Sequence, residues 1–159
     1  MNKKNSPAEP LLICIGNEYR EDDGLGLYVG RHQKIKNLPG IRILENSGDG
    51  MAMMDAWKDA GTVILVDAVH SGRPAGTIFR FDAINNPLPA NIFAVSTHHV
   101  GIPECIALSR SLGLLPEKMI FYGIEGENFG QSMELSPIVK EAVNAVVNSI
   151  VNELGREQS

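Results

Sequence analysis

The sequence is poor in cysteine, in runs of positive charge and in long apolar stretches, and each shortage removes a class of function. Only Cys14 and Cys105 occur, far apart and inside apolar stretches, so neither a disulfide framework nor a zinc knuckle is available. Both read as small buried hydrophobes in a reducing compartment. No Lys/Arg block exceeds Lys3-Lys4 and the formal net charge is −5, so there is no basic groove for nucleic acid, whose phosphates demand clustered cations. No apolar run approaches the roughly 18 residues that span a bilayer. Residues 1–10 are polar and carry no signal-peptide core, which makes a cytoplasmic protein without membrane insertion the expectation. Gly-x-Ser-x-Gly and His-Glu-x-x-His are missing, and two buried cysteines offer no Cys–His nucleophile.

What is present suits one globular domain. The 159 residues are 43% hydrophobic and 21% charged, enough for a single core. Residues 1–10 are expected to be a flexible leader, 11–155 the domain and 156–159 a frayed tail. Residues 11–16 form a continuous apolar run, the pattern of a strand buried on both faces. From Asp23 onward Leu25, Tyr28, Val29, His32 and Ile35 recur at helical spacing. Pro39-Gly40 breaks that period before a second strand at 41–44. Ser47-Gly48-Asp49-Gly50 is a turn able to cap a helix over 51–58. TVILVDA (62–68) is the clearest strand, and 77–81 alternates as an edge or antiparallel strand does. A short strand is expected at 93–96, a helix at 102–112 before Gly113, and a buried strand at 119–124. Ser136 and Pro137 open a last helix, expected to stop at Gly155, with the apolar stripe Val139, Val143, Val146, Val147, Ile150 and Leu154.

Strands alternating with helices predict an α/β fold: a mainly parallel sheet covered on both faces. Ligands of such sheets bind beyond the carboxyl ends of the strands, where strand order switches. Four strand ends carry polar groups there: residues 17–23 after the first strand, Asp67 in the third, His98 and His99 after residue 96, and Glu125. Two carboxylates and an imidazole would make an O,O,N ligand set suited to nickel, zinc or iron(II), with coordination positions left open. Each piece has a plainer reading. Asp22 or Asp23 can cap the following helix; Asp67 can form a turn; a histidine at a strand end is commonly structural; Glu125 suits loop solvation better than catalysis.

A dinucleotide site has to be weighed as well. Gly24-Leu25-Gly26 follows the first strand, and Glu45 lies about 20 residues on, as a Rossmann pattern asks. The third glycine is displaced to Gly30, however, and Glu21, Asp22 and Asp23 stand where a pyrophosphate would need the helix N-terminus. The acidic loop repels that ligand.

Together, GNEYREDDGLG, VILVDAVHSGRPAGTIFRF, STHHVGIPECIALSRSLGLLPEKMIFYGIEG and LSPIVKEAVNAVVNSIV resemble the successive blocks of nickel–iron hydrogenase maturation proteases, over roughly residues 11–154. The resemblance implies a three-layer α/β/α sandwich with a mixed five-stranded sheet. It implies an endopeptidase, often classed as aspartic-type, that trims a C-terminal tail from the hydrogenase large-subunit precursor once nickel is in place. It puts Asp23, Asp67 and His98 (rather than His99) at the metal and in catalysis, with nickel supplied by the precursor as partner; beside that set, Glu18, Glu21 and Glu125 are candidate auxiliary acids or bases. The loop reads NSGDG where many members resemble Gly-Gly-Thr-x-Gly, and position 23 is Asp where some relatives carry Glu. The rival readings are a non-catalytic nickel-binding maturation chaperone and a nucleotide-binding module.

Overall fold

The computed structural model describes residues 9–93 and 101–157. Five strands form one mixed sheet in the order β2-β1-β3-β5-β4, where β1 is Leu11–Ile15, β2 Arg42–Asn46, β3 Thr62–Val69, β4 Ile78–Asp82 and β5 Lys118–Glu125. All neighbours are parallel except β4, which pairs antiparallel with β5 at one edge. The alternating pattern at 77–81 predicted that exception. Central strands β1, β3 and β5 are buried nearly throughout, which is why they read as unbroken apolar runs.

Helices cover both faces, giving the expected three layers. On one side α1 (Leu25–Arg31), α2 (Gln33–Lys36) and α5 (Pro137–Glu157) pack on Leu12, Cys14, Ile64, Val66, Ile120 and Tyr122. The α5 stripe is buried as its spacing predicted. On the other side α3 (Gly50–Trp57) and α4 (Ile102–Ser111) meet Ile13, Ile15, Val63, Leu65 and Phe121. Trp57 is wholly buried between them, and its indole N–H donates to Ser109 Oγ at 2.9 Å, so its one polar atom is satisfied.

Three boundaries differ from expectation. The helix after Asp23 is broken at His32, whose backbone is extended (ψ 139) and whose side chain accepts from Lys34 N–H as the cap of α2. Gly155 does not stop α5, which runs on to Glu157. A stop there needs left-handed backbone, and Gly155 is not among the positive-φ glycines, whereas Gly113 (φ 69) ends α4 in that way. Residues 90–93 form a 3-10 turn, so Phe93 does not begin a strand; 94–96 lie outside the described residues, as do 1–8 of the leader.

Candidate active site

β1 and β3 are adjacent and parallel, yet the chain leaves β1 toward β2 on one side and enters β3 on the other. The carboxyl ends of β1 and β3 therefore flank the switch in strand order, the place where open α/β sheets bind ligands. Asp67 lies near the end of β3 and is 2% exposed. Val63, Leu65 and Val69 stand two or four residues from it, on the same side of the strand, and face the α3/α4 core, so its carboxylate is on that face. Its Oδ1 accepts from Ala68 N–H at 2.8 Å.

Asp23 reaches the same edge from the other strand. The chain leaves β1 through residues 16–20 and tightens into a 3-10 turn, Glu21–Gly24, which packs against β3. The turn is tied back to the strand end: Asn17 N–H donates to the Asp23 carbonyl at 3.1 Å, and Asp23 N–H to the Arg20 carbonyl at 3.0 Å. Gly16 permits this closeness, since a side chain there would collide with the Asp23 carbonyl. Asp23 and Asp67 are thus brought to neighbouring strand ends.

His98 and His99 lie outside the described residues. The segment that bears them leads into α4, which packs on the face of the sheet that Asp67 shares. Among the described residues no group of three His, Cys, Asp or Glu side chains is arranged to hold a metal.

The other acids have defined partners. Glu125 is 2% exposed, and its carboxylate accepts from Ser71 N–H (2.9 and 3.0 Å), Gly72 N–H (3.1 Å) and Ser71 Oγ (2.7 Å). It shapes the loop that follows β3. Glu45 takes both ends of the Arg31 guanidinium at 2.6 and 3.0 Å, and Glu18 takes a third N–H at 2.8 Å. Glu45 first, then Glu18, raises Arg31 well above its ordinary value. Glu45 is therefore occupied, not offered to a ribose. The glycines have packing roles as well: a Cβ on Gly26 would strike the Ile15 and Val66 carbonyls, and one on Gly30 would stand 2.6 Å from Cys14 Sγ. The displaced glycine pattern is the print of a helix lying close on two strands.

Asp22 is the residue that sequence reasoning missed. Neither it nor Asp23 caps α1, whose N-cap, Gly24, has no side-chain bond. Asp22 is instead 0% exposed and accepts from the start of α5 and the segment before it. The one clue in the sequence was an acidic pair where a single acid would suffice.

A model of hydrogenase maturation proteases matches residues 29–153, a span that takes in Asp67 and His98 and begins after Asp23. The chain belongs to the hydrogenase maturation protease family. It is an endopeptidase that processes a hydrogenase precursor. It is 27% identical over 158 residues to the hydrogenase expression/formation protein HupD of Thiocapsa roseopersicina, covering 95% of this chain and 70% of that protein. Its fold is similar to the solution structure of an endopeptidase from Escherichia coli (TM-score 0.80, 21% identity, 95% and 94% of the two chains). It is also similar in fold to the hydrogenase maturating endopeptidase HybD from E. coli (TM-score 0.73, 17% identity, 94% and 93%). Membership in a protease family displaces both rivals, chaperone and nucleotide-binding module. No helix among the described residues is long and apolar enough to cross a membrane.

Proposed function

We propose that this endopeptidase removes a C-terminal tail from the large-subunit precursor of a nickel–iron hydrogenase after nickel has entered that precursor. The observation that carries this reading is the meeting of two carboxylate-bearing residues, Asp23 and Asp67, at the ends of adjacent parallel strands in a member of this family. With His98 they would supply two oxygens and a nitrogen, a set that fits a borderline divalent ion better than calcium or magnesium. Nickel here is the precursor's cargo, and a weak site for the free ion follows, because the enzyme must not retain it. Bound in an open coordination sphere, nickel would polarise a carbonyl or acidify water.

The protein's own residues do the rest. Asp67, sheltered at the strand end, and Asp23, on its tethered turn, hold the scissile segment beside the crevice. One carboxylate takes the proton of the attacking water, which is the sense in which the enzyme is aspartic-type. We assign general acid–base work to Asp23 and Asp67; Glu18 is bonded to Arg31 and Glu125 to the loop after β3. The buried free thiols Cys14 and Cys105 suit a reducing cytoplasm, where we place the reaction.

The test is mass analysis of tail loss from nickel-loaded and nickel-free precursor. Asp23→Asn, Asp67→Asn and His98→Ala should each slow processing by about 100-fold or more in folded protein. Normal processing by His98→Ala with loss in His99→Ala would move the imidazole role to His99. Equal rates on nickel-free precursor would remove metal reading altogether.

A further inference from the structure

Asp22 is a buried carboxylate that this mechanism does not use, and it adjoins Asp23, which the mechanism does use. Asp22 is wholly inaccessible, and its two oxygens take four donors from a single distant region. Oδ2 accepts from Glu127 N–H (2.8 Å), Asn128 N–H (2.9 Å) and Ser136 Oγ (2.8 Å), and Oδ1 from Ser136 N–H (2.8 Å). Two backbone bonds run in parallel: Glu21 N–H donates to the Ser132 carbonyl at 2.6 Å and Asp22 N–H to the Asn128 carbonyl at 3.0 Å. The turn that presents Asp23 is thus clamped from behind by residues 126–136, the connection between β5 and α5.

The turn also holds a conformation it would not choose alone. Glu21 has φ 47, and it is the one non-glycine residue with positive φ among the described residues. Such backbone persists where its surroundings over-determine it. The bonds at Glu21 N–H and Asp22 N–H, and the four at the Asp22 carboxylate, do so here. A buried charge is a poor source of net stability compared with an apolar residue of similar size, but it fixes one arrangement. The arrangement fixed by Asp22 lies one peptide bond from Asp23.

We propose that Asp22 is a positioning residue for the protease reaction. It locks the Glu21–Gly24 turn to residues 126–136 and so sets where the Asp23 carboxylate stands. This rests on the site reading given above for Asp23. Asp22→Asn is the informative change, being nearly the same size. Whichever oxygen becomes the amide, an NH2 group then faces N–H donors, and the turn shifts without a cavity being made.

The experiment is steady-state processing of nickel-loaded precursor by wild type, Asp22→Asn, Ser136→Ala and Asp23→Asn, with folded fraction measured by circular dichroism and thermal melting. Precursor contacts away from the turn are untouched, so KM should stay within about twofold while kcat per folded molecule falls roughly tenfold in Asp22→Asn, the scale expected of a misplaced reacting group. Ser136→Ala removes one donor to Asp22, and with it the acceptor of Asn128 Nδ2–H, and should lower kcat about threefold at unchanged KM. Wild-type kcat in folded Asp22→Asn, or a loss that follows only the folded fraction, overturns the proposal. If Asp22→Asn does not fold, Ser136→Ala decides, and wild-type kcat there overturns it. Normal processing by Asp23→Asn sinks the site reading itself, whatever Asp22→Asn does.

Discussion

Gly26 offers a direct test of how the site is built. It sits in the first turn of α1, where the helix crosses the ends of β1 and β3. A Cβ added there would collide with the Ile15 carbonyl oxygen and stand 2.7 Å from the Val66 carbonyl oxygen and 2.9 Å from Ile15 N, all of them backbone. No rotamer change relieves such a clash, so α1 would have to lift by about 1 Å from a close-packed face. Overpacking of this kind costs about 1–3 kcal/mol, and rigid backbone at every contact puts Gly26→Ala at the upper end. Exchanging glycine for alanine in a helix returns about 1 kcal/mol. The expected balance is a loss of about 2 kcal/mol, a fall in melting temperature of about 4–8 °C for a chain of this size. Gly61→Ala is the control, since nothing lies within 4 Å of its added Cβ, and it should stay within about 0.5 kcal/mol of wild type. Thermal and urea unfolding of the two variants check the reasoning. A Gly26→Ala protein that melts at or above wild type would refute the claim that close approach, not loop chemistry, explains this glycine.

Two further outcomes follow from the buried polar groups. Burial, then the hydrogen bond to Glu153, pushes the Tyr122 phenol up to about 12 from 10.0, and burial likewise pushes the Cys14 thiol up to about 12 from 9.0. Because both pKa values are raised in the folded state, their contribution is complete below pH 9 and is lost as pH rises toward 12. Urea midpoints from pH 8 to 12 should fall less steeply in Tyr122→Phe than in wild type above pH 10; parallel curves would dismiss the phenol as a cause. Glu125→Ala removes the acceptor of the Ser71 and Gly72 N–H groups and should cost about 1.5–3 kcal/mol, with faster amide exchange at those two residues. Unchanged exchange would mean that the carboxylate does not hold the loop.

The layers and the sheet were legible because they rest on local periodicity. Unbroken apolar runs marked β1, β3 and β5, the alternation at 77–81 marked the antiparallel edge, and the valine-rich stripe of α5 marked its buried face. The break at His32 was not legible, since Val29, His32 and Ile35 keep steps of three across it, and Val29 and Ile35 are both buried. Asp67 could be nominated from its place at a strand end. The partners of the other acids could not, because each comes from far along the chain: Ser71 for Glu125, Arg31 for Glu45, and Ser136 for Asp22. Composition names the donors and acceptors, but only the closed sheet decides which of them meet.

The acidic run Glu21-Asp22-Asp23 shows why charge alone misleads. Read as sequence, it is three like charges that repel an anionic ligand, with Asp22 or Asp23 as a helix cap and Asp23 as the acid that the family resemblance singles out. In the fold the three diverge. Glu21 takes up the left-handed backbone that turns the chain, Asp22 disappears into four hydrogen bonds from residues 127–136, and Asp23 is left at the edge of β3, half-buried. On the proposal made above, anchoring Asp22 keeps the turn from relaxing away from the end of β3, the strand that carries Asp67. A single acid on this turn could serve as anchor or as ligand. If Asp23 is a ligand, as proposed, both tasks at once take two acids, and Asp22 beside Asp23 supplies the second.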